Sequence, residues 1–108
     1  MVAGVRRLHD DRVRTGLVSN SWGSRRYPYE LIGEIFDGVV ISGDEGFRKP
    51  DPRMYQLGAE RIGASPRECV FVDDLEINLP PARELGMATV HHVSAAQTLA
   101  ELDRLLGR

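Results

Sequence analysis

What this sequence has little of narrows it first. A single cysteine, Cys69, excludes an internal disulfide and favours a reducing compartment. No apolar run approaches the roughly 18 residues of a membrane span, and the amino terminus lacks the apolar region of a signal peptide. No basic block exceeds Arg-Arg, and 14 basic against 16 acidic residues leave a formal charge of −2, which argues against duplex nucleic acid or an anionic membrane as partner. There is no internal repeat and no low-complexity stretch. A length of 108 residues excludes two complete domains, and 42% hydrophobic content excludes a disordered chain. The expectation is one soluble, cytoplasmic domain over residues 1–108. Lysine is scarcest among the charged residues: thirteen of the basic residues are Arg, and Lys49 is the one Lys. A compact, flexible point charge does what a planar guanidinium fork cannot, so Lys49 becomes a candidate functional residue.

What is present alternates between helix and strand. Residues 2–13 have Val2, Val5 and Leu8 at near-helical spacing, and residues 15–20 form a short apolar strand ending in Ser19 and Asn20. Residues 29–36 predict a weak helix, and Val39, Val40 and Ile41 a β-branched strand. Asp44 and Glu45 fall in an expected exposed loop. Asp51 can cap a helix with Pro52 at its first position, running to about Ile62 and stopped by Gly63. Residues 69–72 form an apolar strand that runs into Asp73 and Asp74. A short helix at 80–85 stops at Gly86, residues 88–91 form a fourth strand, and Ser94 caps a final helix with Leu99, Leu102 and Leu106 in a stripe. Short apolar strands between helices predict an α/β, Rossmann-like parallel sheet with helices on both faces. Ligands bind such sheets beyond the carboxyl ends of the strands, and the unusual polar residues fall there.

Asp73 and Asp74 carry the clearest chemistry. Adjacent carboxylates after a buried strand repel each other unless a cation or donors compensate, and hard oxygen ligands in this position suit Mg²⁺. Helix capping and turn formation are the plainer alternative. Asn78 is placed to hydrogen-bond back onto the acidic loop. Lys49, stiffened by Pro50 and Pro52, precedes a helix amino terminus and is suited to an anion; a solvated loop lysine is the alternative. Ser19 and Asn20 offer a hydroxyl, an amide and backbone N–H groups to a phosphate oxygen, or merely cap the next segment of chain. His91 and His92 have no third ligand near in sequence, Cys69 reads as core, and Trp22, Tyr27 and Tyr29 read as packing residues. Arg25 and Arg26 read as a solvated pair.

Together these residues resemble the haloacid dehalogenase-like (HAD) hydrolase superfamily, in its subfamily IA form, over nearly the whole chain. Leu17-Val18-Ser19-Asn20 is similar to its second motif, the segment from Gly46 to Pro52 to its third, and the segment from Val70 through Asn78 to Met87 to its fourth. The resemblance implies phosphate binding by Ser19 and Asn20, charge neutralisation by Lys49, and Mg²⁺ binding by Asp74 with Asp73 in support. It also implies a first-motif Asp-x-Asp whose leading aspartate forms an aspartyl-phosphate. No Asp-x-Asp occurs in this sequence, and only fourteen residues precede the strand of the second motif. The family places its first strand mid-sheet, between the strands ending at Ser19 and Asp73. The chain is therefore expected to be an incomplete HAD core, without that central strand and without a cap domain: the carboxyl-terminal part of a Mg²⁺-dependent phosphatase of a small phosphorylated metabolite, inactive by itself. It is also expected to be marginally stable alone, self-associating or dependent on a complementing amino-terminal half. The alternatives are a non-catalytic phosphate- or metal-binding remnant, an interaction module, or a dehalogenase, which the paired aspartates disfavour.

Overall fold

A computed structural model describes residues 2–19 and 36–107. The first helix, α1 (Val2–Asp10), buries Leu8 and ends where Arg12 takes a left-handed φ of 67°. It lies so close to the last helix that a Cβ on Gly4 would stand 2.5 Å from a Leu99 methyl. Strand β1 (Gly16–Ser19) follows, one residue shorter at its start than expected, and pairs in parallel with β2 (Gly38–Ile41) from Gly16↔Gly38 to Ser19↔Ile41. The helix expected at 29–36 lies outside the described residues apart from Phe36, as do Asn20, Trp22, Tyr27, Tyr29, Arg25 and Arg26.

The expected loop at Asp44 and Glu45 is instead one turn of helix, α2 (Ser42–Glu45). A contact remote in sequence accompanies it: the Arg61 guanidinium donates to Glu45 at 2.5 Å and to the Val39 carbonyl at 2.5 Å. Helix α3 (Pro52–Arg61) starts as its sequence dictates. Asp51 accepts from the Arg53 amide at 2.9 Å, Pro52 opens the helix without wasting an N–H, and Gly63 at φ 71° terminates it. The carboxyl end of α3 passes directly over the start of β2, where a Cβ on Gly38 would come within 2.8 Å of Arg61 backbone atoms.

Strand β3 (Val70–Asp73) starts one residue later than expected and takes in Asp73. It pairs in parallel with β4 (Ala88–His91), reached through the short helix α4 (Pro80–Glu84) and a turn at Gly86, φ 99°. Helix α5 (Ala95–Leu105) is capped by the Ser94 hydroxyl, which accepts from the Gln97 amide at 3.2 Å, and buries Thr98 and Leu102. Among the described residues no helix is long and apolar enough to cross a membrane.

The core joins Val40, Met54, Tyr55, Ala59, Phe71, Leu79, Ala82 and Met87. Tyr55 and Phe71 meet edge to face, with ring centroids 4.8 Å apart. The strands form two separate parallel pairs, β1–β2 and β3–β4, and among the described residues no ladder joins β1 to β3. A cavity of about 570 Å³ lies between them, walled by the consecutive residues Leu17 and Val18 on one side and Val70, Phe71 and Val72 on the other. Neighbouring strand residues point to opposite faces, so a cavity touching every one of them runs along the strand edges. Tyr55 and Ala59 of α3 also line it, as do Leu8 of α1 and Leu102 of α5. The gap falls where the resemblance puts the strand that this chain lacks.

Candidate functional site

The polar site lies at a second cavity, of about 270 Å³, lined by Lys49, Val72, Asp73, Asp74 and His92. The larger cavity between the strand pairs has mostly apolar walls and contains none of these charged groups. Parallel pairing of β3 with β4 builds the polar site. Asp73 sits opposite His91, and the His92 amide donates to the Asp73 carbonyl at 2.8 Å, so the residues leaving both strands come together.

Asp73 is 7% exposed and is surrounded by donors. Lys49 Nζ donates to its Oδ2 at 2.6 Å, Asn78 Nδ2 to the same oxygen at 3.3 Å, and the Leu75 amide to Oδ1 at 2.9 Å. The last bond is an Asp side chain closing a turn on its own backbone two residues on, which fixes the loop carrying Asp74. Burial pushes the Asp73 carboxyl upward, but the hydrogen bonds from Lys49 and the Leu75 amide outweigh it and hold the group below the usual carboxylate range. The Lys49 ammonium, itself largely buried, lies 5.7 Å from the centre of the Phe71 ring.

Support comes from beneath. The Tyr55 hydroxyl donates to the Asn78 carbonyl at 2.5 Å, tying α3 to the turn after the acidic pair. Burial, and secondarily the Asp73 charge, push the Tyr55 hydroxyl up to about 12, so it stays a donor over the whole physiological range. Asn78 is buried, with its amide toward Asp73.

Asp74 differs from its neighbour. Its side chain is exposed while its carbonyl meets His91 Nε2 at 2.9 Å. Lys49, Asp73 and Asp74 thus share one cavity, with Asn78 behind them. Ser19 ends β1 half-buried and is not among the residues lining that cavity, and Asn20 lies outside the described residues. Among the described residues no group of three or more His, Cys, Asp or Glu is arranged to hold a metal ion. Cys69 is half-buried, donates to the Ser65 carbonyl at 3.3 Å, and has its thiol pushed up by burial and then by Glu68, the opposite of nucleophile activation.

The sequence sets His92 aside for want of a third metal ligand nearby, and gives it no part in the site. Its ring reaches the Thr98 hydroxyl at 2.6 Å and it lines the polar cavity. The available signal was position: in a parallel pair, the residue after β4 lies beside the residues after β3.

Comparison with known proteins agrees with this architecture. A HAD phosphatase from Thermococcus onnurineus superposes with a TM-score of 0.77 at 27% identity, over 97% of this chain and 55% of that one. A HAD family enzyme from Bacteroides thetaiotaomicron, solved with magnesium and inorganic phosphate, superposes with a TM-score of 0.69 at 26% identity, over 84% of this chain and 51% of that one. In sequence, the chain is 32% identical over 100 residues to the bifunctional epoxide hydrolase 2 of Rattus norvegicus, which covers 86% of this chain and 18% of that protein. The chain thus spans under a fifth of that relative and about half of each solved structure. With residues 1–86 matching the family's sequence pattern as well, this chain belongs to the haloacid dehalogenase-like hydrolase family.

Proposed function

We propose that this chain supplies the phosphate- and metal-handling half of a Mg²⁺-dependent phosphatase acting on a small phosphorylated metabolite. The observation that carries the reading is the buried Lys49–Asp73 pair at 2.6 Å, set at a cavity that also displays the exposed Asp74 carboxylate. A buried ammonium locked to a strand-end carboxylate is a preorganised positive charge, oriented before any ligand arrives. In this reading Lys49 neutralises phosphoryl oxygens, and Ser19 with Asn20 contributes further donors from the end of β1.

The donor set fits a hard divalent cation. Both Asp73 oxygens are already engaged by donors, which leaves Asp74 as the carboxylate that would hold Mg²⁺, with Asp73 holding Lys49 and the loop in place. One or two protein carboxylates, completed by water and phosphate oxygens, are what this ion usually takes. When bound, Mg²⁺ supplies charge neutralisation at the phosphoryl group.

Covalent phosphoryl transfer also needs a positioned nucleophile. No Asp-x-Asp is present in the 108 residues, and the cavity between β1 and β3 is open. The reading assigns that gap to a nucleophile-bearing strand from a complementing amino-terminal half, and the aspartyl-phosphate to the completed enzyme. Phosphatases among the chain's relatives support it, including a glyceraldehyde 3-phosphate phosphatase of Methanocaldococcus jannaschii.

The test compares the 108-residue chain alone with the chain mixed with a polypeptide carrying the Asp-x-Asp strand, on p-nitrophenyl phosphate with Mg²⁺. The expected result is no turnover alone, turnover in the mixture, and loss of that turnover in Asp74→Ala. Turnover by the chain alone that persists in Asp74→Ala would overturn the reading.

A further inference from the structure

Thr98 and His92 form a pair that the phosphatase reading leaves unused. Thr98, on the buried face of α5, is 1% exposed, and the ring nitrogen its hydroxyl meets is His92 Nδ1 at 2.6 Å. A buried hydroxyl proton without an acceptor costs about 1–3 kcal/mol. In this structure its partner is Nδ1, so the arrangement that satisfies both groups has Thr98 donating and Nδ1 accepting. Neutral imidazole carries a single N–H, which must then be on Nε2.

We propose that His92 is a ligand-binding residue of the polar cavity, presenting its Nε2–H to a phosphoryl oxygen, and that Thr98 is the positioning residue that fixes this tautomer. His92 lines the same cavity as Lys49, Asp73 and Asp74, and its backbone amide is anchored on the Asp73 carbonyl at 2.8 Å. Lys49 enters the cavity from the loop before α3 and His92 from the end of β4. The two donors come from different segments, and in this proposal each takes one oxygen of a tetrahedral anion. A neutral N–H beside two carboxylates adds a directional donor without a second buried positive charge. The inference rests on the phosphatase reading for the identity of the ligand, but not for the tautomer.

Nitrogen-15 NMR of the histidine rings in the full chain, with inorganic phosphate titrated in the presence of Mg²⁺, tests both parts. The expected His92 signals are those of the Nε2–H form, and phosphate moves the Nε2 resonance. The phosphate Kd rises about tenfold in His92→Phe, the loss of one good hydrogen bond to a charged ligand, and is largely restored in His92→Gln, whose amide nitrogen reaches a similar position. Thr98→Val converts the ring to a mixture of tautomers, a readout that a merely structural role for the hydroxyl would not give. An Nδ1–H form in the wild type overturns the inference, as does an unchanged Kd in His92→Phe. A wild type that shows the Nε2–H form but binds no phosphate sinks the phosphatase reading, and the assigned ligand with it.

Discussion

Replacing Lys49 by Met tests the centre of the site most directly. Methionine keeps the unbranched apolar stem near Phe71 and removes only the ammonium, which lies 2.6 Å from Asp73 Oδ2. The stranded carboxylate, with a side chain only 5% exposed, retains the Leu75 amide and the Asn78 side chain as donors. Removing one partner of a buried pair commonly costs about 3–5 kcal/mol. With two donors surviving, the lower end is expected, about 3 kcal/mol, or a fall in Tm on the order of 10–20 °C for a domain of this size. That is a large fraction of the roughly 5–15 kcal/mol that holds a domain together. Urea unfolding of wild type, Lys49→Met, Asp73→Asn and the double variant gives the coupling. The double variant should lose little more than either single one, because neutralising both partners leaves no uncompensated charge. The Lys49→Met deficit should also shrink on acidification, since a protonated Asp73 needs no cation. Single losses that add to within about 0.5 kcal/mol, or a Lys49→Met variant as stable as wild type, would refute the reasoning.

The same geometry sets other outcomes. Tyr55→Phe leaves the buried Asn78 carbonyl without its donor and should cost about 1–3 kcal/mol by urea unfolding, with loosened hydrogen-exchange protection around Asn78. Gly38→Ala drives a methyl to within 2.8 Å of Arg61 backbone atoms, so α3 must shift off β2, and about 1–3 kcal/mol should be lost. Because Asp73 is held below its ordinary range in the fold, its contribution is complete above the unfolded carboxylate pKa of about 4 and is lost as the pH falls through the lower folded value. Thermal melts should therefore show an acid-side decline that is reduced in Asp73→Asn. Tyr55 behaves in the opposite sense: its hydroxyl, raised to about 12, favours the fold below pH 10, and that contribution is lost as the pH climbs from 10 to 12. Tyr55→Phe should flatten the alkaline edge of the stability profile.

Local chemistry was enough to place most of the elements. Asp51 and Pro52 start α3, Gly63 and Gly86 end turns at positive φ, and Ser94 caps α5, because each acts on backbone groups within a few residues of itself. The β-branched and apolar runs place the strands, β4 at its expected bounds and the starts of β1, β2 and β3 one residue off, since pairing sets the boundary and pairing is a distant event. Helix α2 at Ser42–Glu45 escaped for a related reason: the Arg61 contact to Glu45 comes from another element.

The sequence by itself singled out the candidate residues: its one lysine, set just before Pro50, and a carboxylate pair at the end of an apolar run. Only the tertiary structure decided how the carboxylates divide their work. Asp73, the last residue of β3, turns inward to Lys49, Leu75 and Asn78, while Asp74, the first residue of the turn, is exposed at the rim of the same cavity. Tertiary structure also brought His92 to the cavity of Lys49 and Asp73, since parallel pairing joins residues far apart in the chain.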